Sequence, residues 1–371
     1  MNKLITRIKM TFKHCGFHLL IFILSTLTLL ISAASSPVNA QTAAPPETRT
    51  PAPALVETDY TPSQSDSQLP ENPTPSPALL VGEKSGARMA IVNPETLEIV
   101  AQVPANPNPH EIATDGTYAY VSNSGARSIT VIDLESQQQV EGIDMRPLSP
   151  IHGLWVAQGK LYFANEQSRT IGCYNPESGE IEWVFGTGQW ASHMLMLDES
   201  ANRIFATSMS PGSVSIIERT DDGREWEITV IPTGPRAEGL DLSPDGRELW
   251  VTNVNESTIS VIDTEAKREV EKIPLPTNFS NRLKFTPDGR YVIVAELQGD
   301  RVLVLDAHTR KEVKRIDVGG GTEGIQMTPD GSRVFIAVSP ENKVAVIDLD
   351  TLEVVGEIHG FINPDGMAWV P

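Results

Sequence analysis

The chain has 371 residues, and its 48 Asp and Glu against 29 Lys and Arg give a formal net charge of −19. That acidic excess argues against nucleic acid and anionic membrane surfaces as partners, since both repel it. Only Cys15 and Cys173 are present, too few for a disulfide framework.

Residues 1–40 read as a secretory signal. Lys3, Arg7, Lys9 and Lys13 make a basic start, an apolar run follows from Leu19 to Ile31, and Val38-Asn39-Ala40 is a small-residue cleavage pattern. The run of 13 residues is shorter than the roughly 20 needed to span a bilayer; the alternative is an uncleaved anchor. Removing this segment, with four basic and no acidic residues, leaves a mature charge of −23. Residues 41–77 hold nine prolines among Ser, Thr, Ala and Glu. Such a composition buries too little apolar surface to offset ordering entropy and reads as a disordered tether.

From residue 78 onward the chain repeats. Glu238-Gly-Leu-Asp-Leu alternates apolar and polar residues, Pro244-Asp245-Gly246 turns the chain, and Leu249-Trp250-Val251-Thr252-Asn253 and Ile259-Ser260-Val261-Ile262-Asp263 resume the alternation. The turn recurs at Pro287-Asp288-Gly289 and Pro329-Asp330-Gly331. Pro presets φ, Asp bonds back to the bend, and Gly takes positive φ. Anchored at the start of each first strand, the copies begin at His110, His152, His193, Glu238, Asn281, Glu323 and Asp365, spaced 41 to 45 residues apart.

Four short strands per period of that length is the arithmetic of an all-β, seven-bladed β-propeller of four-stranded antiparallel blades. The 294 residues of 78–371 make seven periods of 42. Residues 78–104 supply strands two to four of one blade and 364–370 its first strand, so the C-terminal strand is expected to close the ring and remove the open edges. Cys173 falls where other third strands carry Val and is read as a buried small hydrophobe.

Tyr120-Val121-Ser122-Asn123, Trp250-Val251-Thr252-Asn253 and the Ser-Pro-Asp-Gly turn make 78–371 resemble the bacterial YVTN-repeat β-propellers. The resemblance implies the fold. Propellers of this kind include envelope proteins without assigned activity, lactonase-like enzymes, the methylamine dehydrogenase heavy chain and the haem-binding propeller of nitrite reductase. The chain lacks Cys-x-x-Cys-His for covalent haem, a phosphate loop and a dinucleotide fingerprint.

First strands line a propeller's channel, so the seven anchors form a ring at one mouth, with Glu83, Asn123, Asn165, Asn253 and Glu296 returning to the same face. Arg146, Trp190, Arg236, Phe279 and Phe361 lie on its loops. His110, His152 and His193 with Glu238 suit one divalent transition metal, with ligands converging to about 2.0–2.2 Å for zinc. Arg236, Asn281, Arg282, Glu323 and Asp365 are candidates for a small-molecule or protein ligand. The alternative is structural, each His bonding a neighbouring blade's backbone and each second-strand Asn bracing a turn.

The leading expectation is a monomeric, periplasmic or secreted binding or scaffold module. A metal-dependent hydrolase of a small ester or lactone is the alternative, and a redox-partner subunit the third. Export predicts a mature N-terminus near Gln41 on a soluble protein released from the cell envelope. N-terminal sequencing checks this, and a retained Met1 on membrane-bound protein overturns it.

Overall fold

A computed structural model describes residues 72–148, 150–220 and 225–371. The expected signal, and the expected tether up to residue 71, lie outside the described residues. Asn72–Pro77 bond to the repeat region: the Ser76 hydroxyl donates to the Pro371 carbonyl at 3.0 Å, and Gln137 donates to the Asn72 carbonyl at 2.8 Å. No helix among the described residues is long and apolar enough to cross a membrane.

Seven antiparallel sheets follow the repeat, making a seven-bladed β-propeller. The closing blade has strand order Pro364–Val370, Ala78–Glu83, Arg88–Asn93, Glu98–Pro104, with Leu79 opposite Trp369 and Val81 opposite Met367. The other blades take their four strands consecutively, beginning at Pro109, Ile151, Trp190, Ala237, Ser280 and Thr322. In the His110 blade the fourth strand is broken into Gln138–Gln139 and Ile143–Asp144, both paired with the third.

Alternation sets the packing. In Ala78–Glu83, Leu80 faces one neighbouring blade and Leu79 and Val81 the other. Repeated around the ring, this gives one apolar cluster at each of the seven blade–blade interfaces. Full burial of each Leu, Ile or Val contributes about 1.5–3 kcal/mol. Cys173 is fully buried in one of these clusters, as its position predicts.

Each inner strand bulges at its anchor. Pairing runs Pro109↔Asn123 then Ile112↔Val121, and Ala237↔Asn253 then Leu240↔Val251; the same one-residue slip occurs in all seven blades. A bulge leaves a residue outside the ladder and re-aims its side chain. Two positions before the anchor, Asn108, Ala191, Arg236, Phe279, Gly321 and Asn363 all have φ of 55–75°. Side-chain-bearing residues seldom adopt this region, so its recurrence marks a turn that the inner strand requires.

Behind the anchor, Gly153, Gly239, Gly324 and Gly366 press against the next blade: an added Cβ would stand closer than 3.0 Å to the carbonyl oxygen of His193, Asn281, Asp365 or His110. The other three blades carry Glu111, Met194 and Arg282 there, and these reach into the channel.

Truncation after Ile362 removes the closing strand and exposes two sheet edges; the expected result is loss of the cooperative melt, with aggregation on size exclusion. Gly366→Ala keeps the strand but forces a methyl group against the His110 carbonyl, and should cost about 1–3 kcal/mol in urea unfolding. A truncated chain that melts like its parent would refute the closed ring.

Candidate ligand site at the channel mouth

The bulges bring the seven anchors to one mouth. His110, His152 and His193 form a row, with ring centroids 4.2 Å apart for the first pair and 3.6 Å for the second. His152 is the middle ring, 4% exposed, and its Nδ1 has no hydrogen-bond partner among the described residues. The outer rings meet carboxylates. His193 Nδ1 lies 2.8 Å from Glu166 Oε1, in hydrogen-bond geometry, and its Nε2 is 3.9 Å from Glu238. His110 Nδ1 lies 3.0 Å from Asp365 Oδ2 and 3.7 Å from Glu111. The Asp365 contact is an ion-pair approach and lacks hydrogen-bond alignment, so both atoms keep unused bonding capacity.

Cations close the remainder of the ring. Lys84 pairs with Glu323 and lies 3.5 Å from Asp365. Arg236 Nε bonds Glu238 at 3.1 Å, and the buried Arg282 pairs with Glu111. Five carboxylates (Glu111, Glu166, Glu238, Glu323, Asp365) thus face three permanent cations. Next to the ring lies a cavity of about 330 Å³ whose walls include Glu111, Arg282, Trp155, Leu240, Lys284 and Trp369.

These neighbours set the ionisation. Burial alone would lower His110, but Asp365 and then Glu111 outweigh it and lift the imidazole to about 10. Burial also opposes the charged form of His193, yet Glu166 and Glu238 raise it. His152 is held neutral, well below the ordinary value, by burial and then by the two flanking rings. Burial pushes Glu238 upward, but His193, Arg282 and Arg236 bring it to about 2.

The sequence placed the three histidines together, and they meet. Glu238 joins the ring but turns to Arg236 and His193. The metal-competent groupings are instead His110–Glu111–His152 and His152–Glu166–His193, each with ligand atoms within 4.8 Å of one another. Arg236, Arg282, Glu323 and Asp365 come to the mouth in ion pairs. Asn281 is buried, with Oδ1 unbonded among the described residues and its carbonyl accepting from Thr252 at 2.9 Å.

Blade-to-blade bonding at the anchors belongs to Thr and Ser: Thr207 donates to the Glu238 carbonyl at 2.7 Å, and Ser339 to that of Pro364. Asn123, Asn253 and Glu296 brace local turns and strands. Glu83 is fully buried, bonded to Arg88, Gln102 and the Ile362 amide. Phe361 packs in an apolar cluster, whereas Trp190 is 47% exposed beneath the Arg169 guanidinium. Arg146 is exposed and bonded to Asp144. Sequence reasoning missed Lys84 and Glu166, each one residue beyond a second strand, and Glu111, one beyond its anchor.

The fold and ring define a β-propeller with a polar, histidine-bearing channel mouth. The family model for the cytochrome D1 heme domain matches residues 244–362. This stretch contains none of the three anchor histidines. Among solved structures, a functionally unknown protein from Desulfotomaculum acetoxidans DSM 771 superposes with a TM-score of 0.68 at 16% identity, covering 79% of this chain and 98% of that one. Kuenenia stuttgartiensis hydrazine synthase gives 0.67 at 20% identity, covering 78% and 98%. At such identities the likeness shows the fold alone. No curated protein matches the chain.

Linkage fixes how pH acts on the metal-free protein. His110, with its raised pKa, contributes stability that is fully present below the unfolded value of about 6.5 and lost as pH rises through about 10. His152 acts oppositely: below about 6.5 the unfolded chain takes a proton that the folded ring refuses, so stability falls with pH. Relative to the parent, His110→Gln should weaken the alkaline loss and His152→Gln the acid loss. Urea unfolding at mildly acidic, neutral and alkaline pH checks both signs.

Proposed function

We propose that the chain is an exported propeller of the YVTN-repeat kind, a cell-envelope binding module whose channel mouth takes one divalent transition-metal ion. One observation carries the reading: the buried His152 Nδ1 is unpartnered among the described residues, while each flanking histidine turns its Nδ1 to a carboxylate. A carboxylate beside an imidazole offers the mixed oxygen and nitrogen donor set that zinc and other divalent transition metals take. The charge supports a cation as well. Five carboxylates against three permanent cations leave an excess of two, which the protonated outer histidines balance in the metal-free ring and a divalent ion balances once it displaces their protons.

The match to a haem-domain family raises haem as an occupant. Lys84, Arg236 and Arg282, the cations nearest the ring, are each already paired with carboxylates. They are poorly suited to receive a haem's own carboxylates. The second reading is a hydrolase of a small ester or lactone. Two histidines and one carboxylate would leave coordination positions for an activated water.

The expected result for chelator-stripped protein titrated with zinc is one ion per chain and a higher melting temperature. At a hundred times its Kd the ion stabilises by about 2.7 kcal/mol. His152→Ala should abolish both effects and leave the fold intact. A parent that takes no metal, or a variant that loses only stability, returns the histidines to a structural role. Ester turnover requiring the metal would favour the hydrolase.

A further inference from the structure

The two ligand groupings share His152 and lie on its opposite sides, since His110 and His193 flank it. An ion therefore has two candidate seats. Their carboxylates differ in what already holds them.

Glu111 is paired with Arg282, whose guanidinium is almost wholly buried. Drawing Glu111 onto a metal would strip a buried cation of its partner, and a buried charge left without its counter-ion is strongly destabilising. A divalent ion on that side would also lie close to the arginine. His110 on the same side is held by Asp365, which Lys84 approaches in turn.

Glu166 stands differently. Among the described ion pairs it meets His193 alone, and its side chain is 28% exposed where those of His193 and Glu238 are below 10%. It follows directly on the second strand Lys160–Asn165. It therefore offers a carboxylate free of any charged Lys or Arg among those pairs, and a path from solvent to two buried imidazoles.

Resting on the metal reading above, the geometry points to His152, Glu166 and His193 as the ligand set, with Glu111 and Arg282 as a fixed ion pair that keeps metal off the His110 side. Two imidazoles and one carboxylate suit zinc, iron, copper or nickel rather than the oxygen-ligated magnesium or calcium. Ligand atoms now within 4.8 Å must close to about 3.3 Å from one another for tetrahedral binding at roughly 2.0–2.1 Å. Rotation of the partly exposed Glu166 side chain and of the imidazoles provides for this. Three protein donors leave at least one position for water or a Lewis-basic small molecule entering by the mouth.

The test titrates zinc into stripped parent, Glu166→Gln and Glu111→Gln, with melting curves confirming that each is folded. Copper(II) added to the parent is read by electron paramagnetic resonance. Expected are an affinity loss of roughly a hundredfold in Glu166→Gln, less than about threefold in Glu111→Gln, and coupling to two nitrogens. Glu166→Gln that binds like the parent, loss in both variants, or coupling to three nitrogens overturns this ligand set while leaving the metal reading in place. A parent that takes no metal overturns both. Should Glu111→Gln fail to fold, the Glu166→Gln affinity and the nitrogen count decide alone.

Discussion

Seven inner strands share one axis, and each delivers a side chain to it. That crowding is the constraint from which the mouth follows. Glycine behind four anchors lets neighbouring strands approach one another's carbonyls. Seven polar groups held this close must compensate one another, because uncompensated charge with little water around it is expensive. The compensation is paired off around the circle: Lys84 between Glu323 and Asp365, Arg236 on Glu238, Arg282 on Glu111, and carboxylates on the two outer histidines. His152 alone among the three makes no ion pair among the described residues, and burial, then the two flanking rings, keeps it neutral.

The architecture behind the ring is rigid where the site needs it. Each interface between blades has its own apolar cluster, and threonines of the second strands tie the next blade's anchor backbone in place. A left-handed turn before six anchors and a bulge at all seven then aim the side chains. Precision in the ring is thus a property of the backbone repeat, and chemistry is a property of which residue occupies each copy. One scaffold carries His, Glu, Asn and Asp at equivalent positions without change of register.

The repeat was legible because it is written many times over. Pro-Asp-Gly turns and period-two alternation recur, so the blade count and the closure by residues 364–370 were readable before any geometry. The three histidines were legible for the same reason, since they fall at one repeat position. Their partners were not. Glu166 and Lys84 follow the second strand in turns whose residues vary between blades, and Glu111 occupies a position that is glycine in four others. Alternation alone also hides the bulge, which brings the anchor and its successor both toward the axis. Glu238 illustrates the limit. Ring membership was readable, but Arg236, two residues earlier in a left-handed turn, claims its carboxylate.

Asp365 sits on the strand that completes the ring, whereas all three histidines lie in the first 200 residues. A ribosome finishes the imidazoles long before it finishes the carboxylate against His110. Any incomplete product that ends early, however soundly its first blades have folded, carries the histidines without their full surroundings. The mouth thus depends on the closing strand: a chain lacking it forfeits both the seam of the ring and the carboxylate paired with its first histidine.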